Sequence, residues 1–170
     1  MSNDEVRMTH TAQFPLHTSS GTSQAVRAQI CAEALTWLGT PFHHLACVKH
    51  VGVDCAMLLA GVGKAVGLVP PHWWPPPYAP EWHLHRTEPL LEQTIVRLGC
   101  QPVSLGARQP GDICLFQWPG GLVLSHAALL VAPDLLVHAI LDDQVRQHSL
   151  RGRWRERLRA CYAFPGINEE

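Results

Sequence analysis

Gly52-Val53-Asp54-Cys55 opens an apolar run through Ala56, Met57, Leu58, Leu59 and Val62. Leu124-Ser125-His126-Ala127 follows much later, and His138 stands twelve residues beyond His126. A cysteine where a loop enters a helix, then two histidines on later strands, is the order taken by a nucleophile, its base and the group orienting that base. Thiols react as thiolates, which helix N-termini and neighbouring histidines favour. Gly52 and Asp54 are turn and cap residues, so the Cys55 side chain leaves a tight loop at the positive end of a helix. The amides there also face the oxyanion of an attacked carbonyl. Each residue alone has a plainer reading: Cys55 as a small buried side chain, His126 as a strand-end histidine satisfied by solvent, and His138 as an equally unremarkable strand histidine.

The elements that must position these groups are legible in outline. Val26, Ile30, Ala34, Trp37 and Leu38 fall on one helical face, with Thr22 or Ser23 as cap and Gly39 and Pro41 as the stop. Residues 40 to 54 read as a loop. The second helix starts at Cys55, capped by Asp54, with Cys55, Leu58, Leu59, Val62 and Val66 as its buried stripe. Gly61 and Gly63 inside it imply close packing against another element. A third helix is expected near 87 to 98, capped by Thr87 and stopped by Gly99. Short strands then follow at Ile113 to Trp118, Ala127 to Val131, Leu135 to Ile140 and Ala160 to Phe164. Helices first and strands later indicate an α+β fold, with N-terminal helices packed on a C-terminal antiparallel sheet. Hairpin parity decides whether the two histidines meet. A three-residue loop at Ala132-Pro133-Asp134 sets Ala128 opposite His138 and puts His126 on the same face; a two-residue Pro133-Asp134 turn separates them.

The 170 residues fit one domain, read as 22–167, preceded by a polar, aperiodic arm at 1–21 that is flexible or partner-bound. Charge is balanced, with 13 Lys plus Arg against 14 Asp plus Glu, which argues against general nucleic-acid binding. No export core is evident near the start and no stretch suits a bilayer, so cytoplasmic synthesis of a protein not integral to a membrane is expected. In that compartment the six cysteines are not expected to form a disulfide framework. Cys31, Cys100, Cys114 and Cys161 read as small core residues. His43, His44, Cys47, His50 and Cys55 are close enough to suggest zinc, but no Cys-x-x-Cys knuckle supports it, and neither metal nor cofactor is expected. Six prolines between Pro70 and Pro80 interleave with Trp73, Trp74, Tyr78 and Trp82. This stiff segment either pins the helices to the sheet or offers Trp73 and Trp74 as a cleft wall. Arg151, Arg153, Arg155, Arg157 and Arg159 alternate, as on one side of an extended strand.

Four segments together resemble the NlpC family of papain-like cysteine peptidases, and most closely its phage-tail and gene-transfer-agent branch. They are Trp37-Leu38-Gly39-Thr40-Pro41-Phe42, Gly52-Val53-Asp54-Cys55, Pro110-Gly111-Asp112-Ile113, and Ser125-His126 with His138. The Trp154 to Pro165 segment is also similar to that branch. The resemblance implies Cys55 as nucleophile, His126 as general base and acid, and His138 as its orienter, in a papain-like fold. It implies hydrolysis of amide bonds in bacterial peptidoglycan stem peptides, with tail-tip or hub proteins as partners and incorporation into a virion or tail-like particle. Asp54 is the implied partner of a substrate ammonium group, and Phe42 and Ser125 line the substrate site. The chain departs from the family where Phe42 replaces a tyrosine, Ala56 a serine and Met57 a glycine. Those departures motivate an alternative, a tail-tip structural protein with little turnover; acyl transfer through the same thioester is a third reading.

Overall fold

The computed structural model describes residues 22–85 and 87–167, so the 1–21 arm lies outside the described residues. The first helix, α1 (Ser23–Leu35), starts where Thr22 accepts a hydrogen bond from the Ala25 amide, and Gly39 at φ 82° ends the turn that follows it. Residues Gly39 to Phe42 then run along the later strand β7 (Val145–Ser149), through Gly39 N–H to Val145 O and Phe42 N–H to Asp143 O. This strip ties the loop ahead of Cys55 to the sheet edge. A small hairpin, β1 (Cys47–Val48) with β2 (Gly52–Val53), delivers the chain to α2 (Cys55–Ala65).

α2 is enclosed on more sides than its apolar stripe suggests. Met57, Ala60, Gly61 and Gly63 are buried along with Leu58, Leu59 and Val62, whereas Val66 is only half-buried. The two glycines are required by contact: a Cβ on Gly61 would lie 2.7 Å from the Trp37 ring, and one on Gly63 2.4 Å from Val69 Cγ2.

The proline-rich segment runs without regular structure to the short α3 (Trp82–His85). The next helix, α4 (Leu90–Arg97), begins later than the 87–98 reading: Pro89 is its cap and Thr87 stays outside. Proline has no N–H to satisfy, so it stands at a helix start without loss. A six-stranded antiparallel sheet completes the fold, built from β3 (Gln101–Val103), β4 (Ile113–Phe116), β5 (His126–Ala132), β6 (Leu135–Ala139), β7 and β8 (Leu158–Ala163) in the order β3-β8-β4-β5-β6-β7. α1 and α2 both pack on β5. Ile30, Leu58, Leu129 and Phe164 are fully buried there. The layers are those of the α+β reading.

Two details depart from it. The arginine-rich run is not one extended strand, because Gly152 at φ 49° turns the chain into α5 (Arg153–Arg157) before β8 begins. That turn carries Trp154 inward, where it is buried. The β5–β6 hairpin also differs: Ala132 pairs with Leu135 across a two-residue Pro133-Asp134 turn. A bulge between Leu130 and Ala132 inserts Val131, after which Leu130 pairs with Leu136 and Leu129 with Val137. Continuing that register sets Ala128 opposite His138. The bulge restores the parity that the tight turn alone would have removed.

Candidate active site

Cys55 occupies the first position of α2. Asp54 caps the helix, one carboxylate oxygen accepting from the Met57 amide at 2.9 Å. Asp54 also accepts from the Leu45 amide at 2.8 Å and from the Tyr78 hydroxyl, which lies 2.9 and 2.8 Å from its two oxygens. His44 completes the group, with Nδ1 3.5 Å from Asp54 and Nε2 2.9 Å from the Tyr78 carbonyl. The proline-rich segment is thereby latched to the cap of the Cys55 helix.

β5 brings His126 to the cleft that Cys55 lines, with Ala127 next to it in the chain. His126 Nε2 is 2.7 Å from His138 Nδ1, which leaves His126 Nδ1 as the nitrogen that His138 does not engage. His138 Nε2 is in turn 2.8 Å from Nδ1 of His148 on β7. His126 and His138 are buried and His148 is half-buried. Trp154 packs on all three rings, at centroid distances of 5.7, 4.5 and 5.6 Å.

A cleft of about 960 Å³ opens over these groups, lined among others by Phe42, Asp54, Cys55, Ser125, His126 and His148. A second pocket of about 270 Å³ adjoins Cys55 and Ala56, walled by Pro75 to Tyr78 and by α4. The structure therefore brings Cys55, His126, His138, Asp54, Phe42 and Ser125 to one place. Ser125 Oγ is buried there with no hydrogen-bond partner among the described residues. Trp73 and Trp74 are not part of it. Trp73 packs against the core, and Trp74 covers the Lys64 ammonium at 3.0 Å. Trp82, Trp118 and Trp154 stand at the cleft in their place. The zinc grouping disperses: Cys47 donates to the Met57 carbonyl, and His44 serves Asp54 and Tyr78. Among the described residues no cluster of three or more metal-ligating side chains converges, and no helix is long and apolar enough to cross a membrane.

The electrostatics correct the expectation of a resting thiolate. Burial, reinforced by the Asp54 charge, pushes the Cys55 thiol up to about 12, against the amides of Ala127, Ala56 and Cys55 itself. Burial lowers His126 to about 4, with His148 adding to the effect. His138 is lowered to about 2 by burial and by His126, His148 and Arg153. Thiol and imidazole are both neutral in the substrate-free site.

Sequence reasoning passed over Tyr78, His148 and Trp154. Tyr78 sits among prolines, His148 in a strand of exposed polar residues, and Trp154 inside the arginine run.

A papain-like domain whose cleft joins a helix-start cysteine to a buried histidine pair is the class that this architecture defines. Solved structures share the fold. A Staphylococcus aureus protein similar to lipoprotein, of the NLP/P60 family, aligns with a TM-score of 0.58 at 20% identity, over 87% of this chain and 44% of that one. The NlpC/p60 domain of the peptidoglycan hydrolase SagA aligns with a TM-score of 0.57 at 19% identity, over 81% of this chain and 98% of that one. The P60 domain of an antigen from M. avium subspecies paratuberculosis gives 0.55 at 11% identity, over 86% and 98%. The chain spans less than half the length of the S. aureus protein and 40% of a Bacillus cereus NLPC/P60 protein with the same fold. No family model matches the sequence, and no curated protein matches it.

Proposed function

We propose that this chain is a cysteine endopeptidase that hydrolyses amide bonds in peptidoglycan stem peptides. The observation that carries the reading is Cys55 at the start of α2, facing the buried His126–His138 pair across one cleft. The shared fold of a peptidoglycan hydrolase domain supports the substrate class. Nδ1 of His126 takes the thiol proton as the sulfur attacks the amide carbonyl, and amides at the start of α2 face the oxyanion. His126 then gives that proton to the leaving amine, and water hydrolyses the thioester. Asp54 carries a negative charge at the cleft for a substrate ammonium, although its oxygens already serve two amides and the Tyr78 hydroxyl.

The setting we propose is a phage or prophage tail tip, where local wall cleavage helps DNA entry and hub proteins hold the enzyme. The similarity of the Trp154 to Pro165 segment to tail-associated peptidases supports this. The test is release of stem-peptide fragments from purified sacculi, read by mass spectrometry. The wild-type chain is expected to release them and Cys55→Ala to lose at least about a hundredfold in rate. Equal release by both would overturn the peptidase reading. An inert wild-type chain that still co-purifies with tail particles would establish the structural alternative.

A further inference from the structure

His138 Nε2 does not end at a carbonyl or a carboxylate but at a third imidazole, His148 Nδ1, 2.8 Å away. Of the three rings only His148 is partly open to water; it lines the cleft beside Arg153 and Arg146. We propose that His148 is the solvent-side end of a three-ring proton relay that carries the Cys55 proton charge out of the protein interior. The inference rests on the peptidase reading only in taking Cys55 as the thiol served.

The proton count follows from two hydrogen bonds shared by three neutral rings, each of which carries one N–H. In the receptive arrangement His126 Nε2–H donates to His138 Nδ1, and His138 Nε2–H donates to His148 Nδ1. His148 keeps its own N–H on Nε2, and His126 Nδ1 presents a lone pair. When Nδ1 takes the thiol proton, the Nε2 proton of His126 passes to His138 Nδ1. The Nε2 proton of His138 then passes to His148 Nδ1. The sulfur is left as thiolate, His126 and His138 are neutral again, and the cation is His148, the ring that water can reach. Protonating the leaving amine from His126 Nδ1 runs every transfer backwards. Without the third ring the cation would stay on His126 or His138, where burial opposes charge.

The same chain read from outside makes His148 a gate. Once solvent protonates it, both its nitrogens are donors, so His138 Nε2 must accept and His138 Nδ1 must donate to His126 Nε2. His126 then carries its proton on Nδ1, and the base toward Cys55 is gone. The acid limb of thiol reactivity belongs to His148. Burial lowers the proton affinity of His148 most; Arg153 and Arg146 facing it lower it further, Asp143 raises it, and His138 and Trp154 lie behind it.

The test is the rate of Cys55 carbamidomethylation by iodoacetamide against pH, a readout that needs no wall substrate. Arg153→Gln, at an exposed position, is expected to move the acid limb to higher pH, and Asp143→Asn to lower pH. His148→Gln keeps an acceptor for His138 but cannot take a proton. It is expected to slow alkylation about tenfold or more near neutrality and to make the acid limb indifferent to Arg153→Gln. Retention of the wild-type rate and acid limb in His148→Gln would overturn the relay, as would an acid limb unmoved by either charge change. Sacculus hydrolysis measured in parallel separates the two claims: reactive, relay-dependent Cys55 without hydrolysis would overturn the proposed substrate and leave the relay standing.

Discussion

Burial of neutral imidazoles sets how the site responds to acid. His126, His138 and His148 all hold protons less readily than an ordinary histidine near 6.5. The unfolded chain therefore binds more protons than the folded one below that pH, so the stability these rings allow is full above about 6.5 and lost as pH falls toward 4. Urea midpoints taken between about pH 7 and 5.5 are expected to decline steadily, above the range in which ordinary carboxylates titrate appreciably. A flat profile would mean that the rings take up protons in the folded state. At this scale the meeting of Cys55 with His126 and His138 at one cleft was readable, because residue type and spacing carry it. Their protonation was not, because it depends on how deep the sheet buries them. Tyr78 and His148 were hidden because neither stands in a recognisable motif: Tyr78 lies among prolines and His148 in a mostly polar strand, and only the fold brings them to Asp54 and His138.

The elements show where local patterning suffices and where packing overrides it. α1 and α2 begin where their caps predict, since Thr22 and Asp54 both engage the first-turn amides. β7 and β3 escaped notice because they are short and largely polar outside. The arginine alternation misled, since Gly152 and the buried Trp154 impose a helical turn on a pattern that fits a strand. The histidine pair depends on one extra residue, Val131, which no loop rule identifies as a bulge. α2 gives the sharpest test of element packing. Alanine at Gly63 gains about 1 kcal/mol of helix propensity, yet its methyl would sit 2.4 Å from Val69 and 3.0 Å from Phe164. Overpacking of that kind costs about 1–3 kcal/mol, so Gly63→Ala is expected to be net destabilising in urea melts. Unchanged stability would show that the Val69 turn yields freely.

At the scale of the whole molecule, one buried ion pair joins the helical layer to the sheet. Arg27 of α1 meets Asp112, just before β4, at 2.5 Å, and both are almost fully buried. Asp112 also accepts from the Gln109 amide, and Gly111 at φ 95° lets the turn press against Arg27. The Pro110-Gly111-Asp112-Ile113 motif is thus a docking turn for α1, a role its sequence did not disclose. Removing the cation strands a buried carboxylate, which costs about 3–5 kcal/mol. Arg27→Ala is expected to lose that much in chemical denaturation; a loss below 1 kcal/mol would mean that water reaches Asp112.

The latch between Tyr78 and Asp54 makes one carboxylate serve two purposes. It holds the wall of the cleft and the first turn of the Cys55 helix at once. Width of the cleft and aim of the sulfur are therefore not separate variables. A compound that wedges beneath the proline segment would pull on the helix that it needs intact, whereas one sliding along the open face by Trp118 would not. Hydrogen exchange at the Leu45 and Met57 amides, both bound to Asp54, is the gauge that tells these two modes of binding apart.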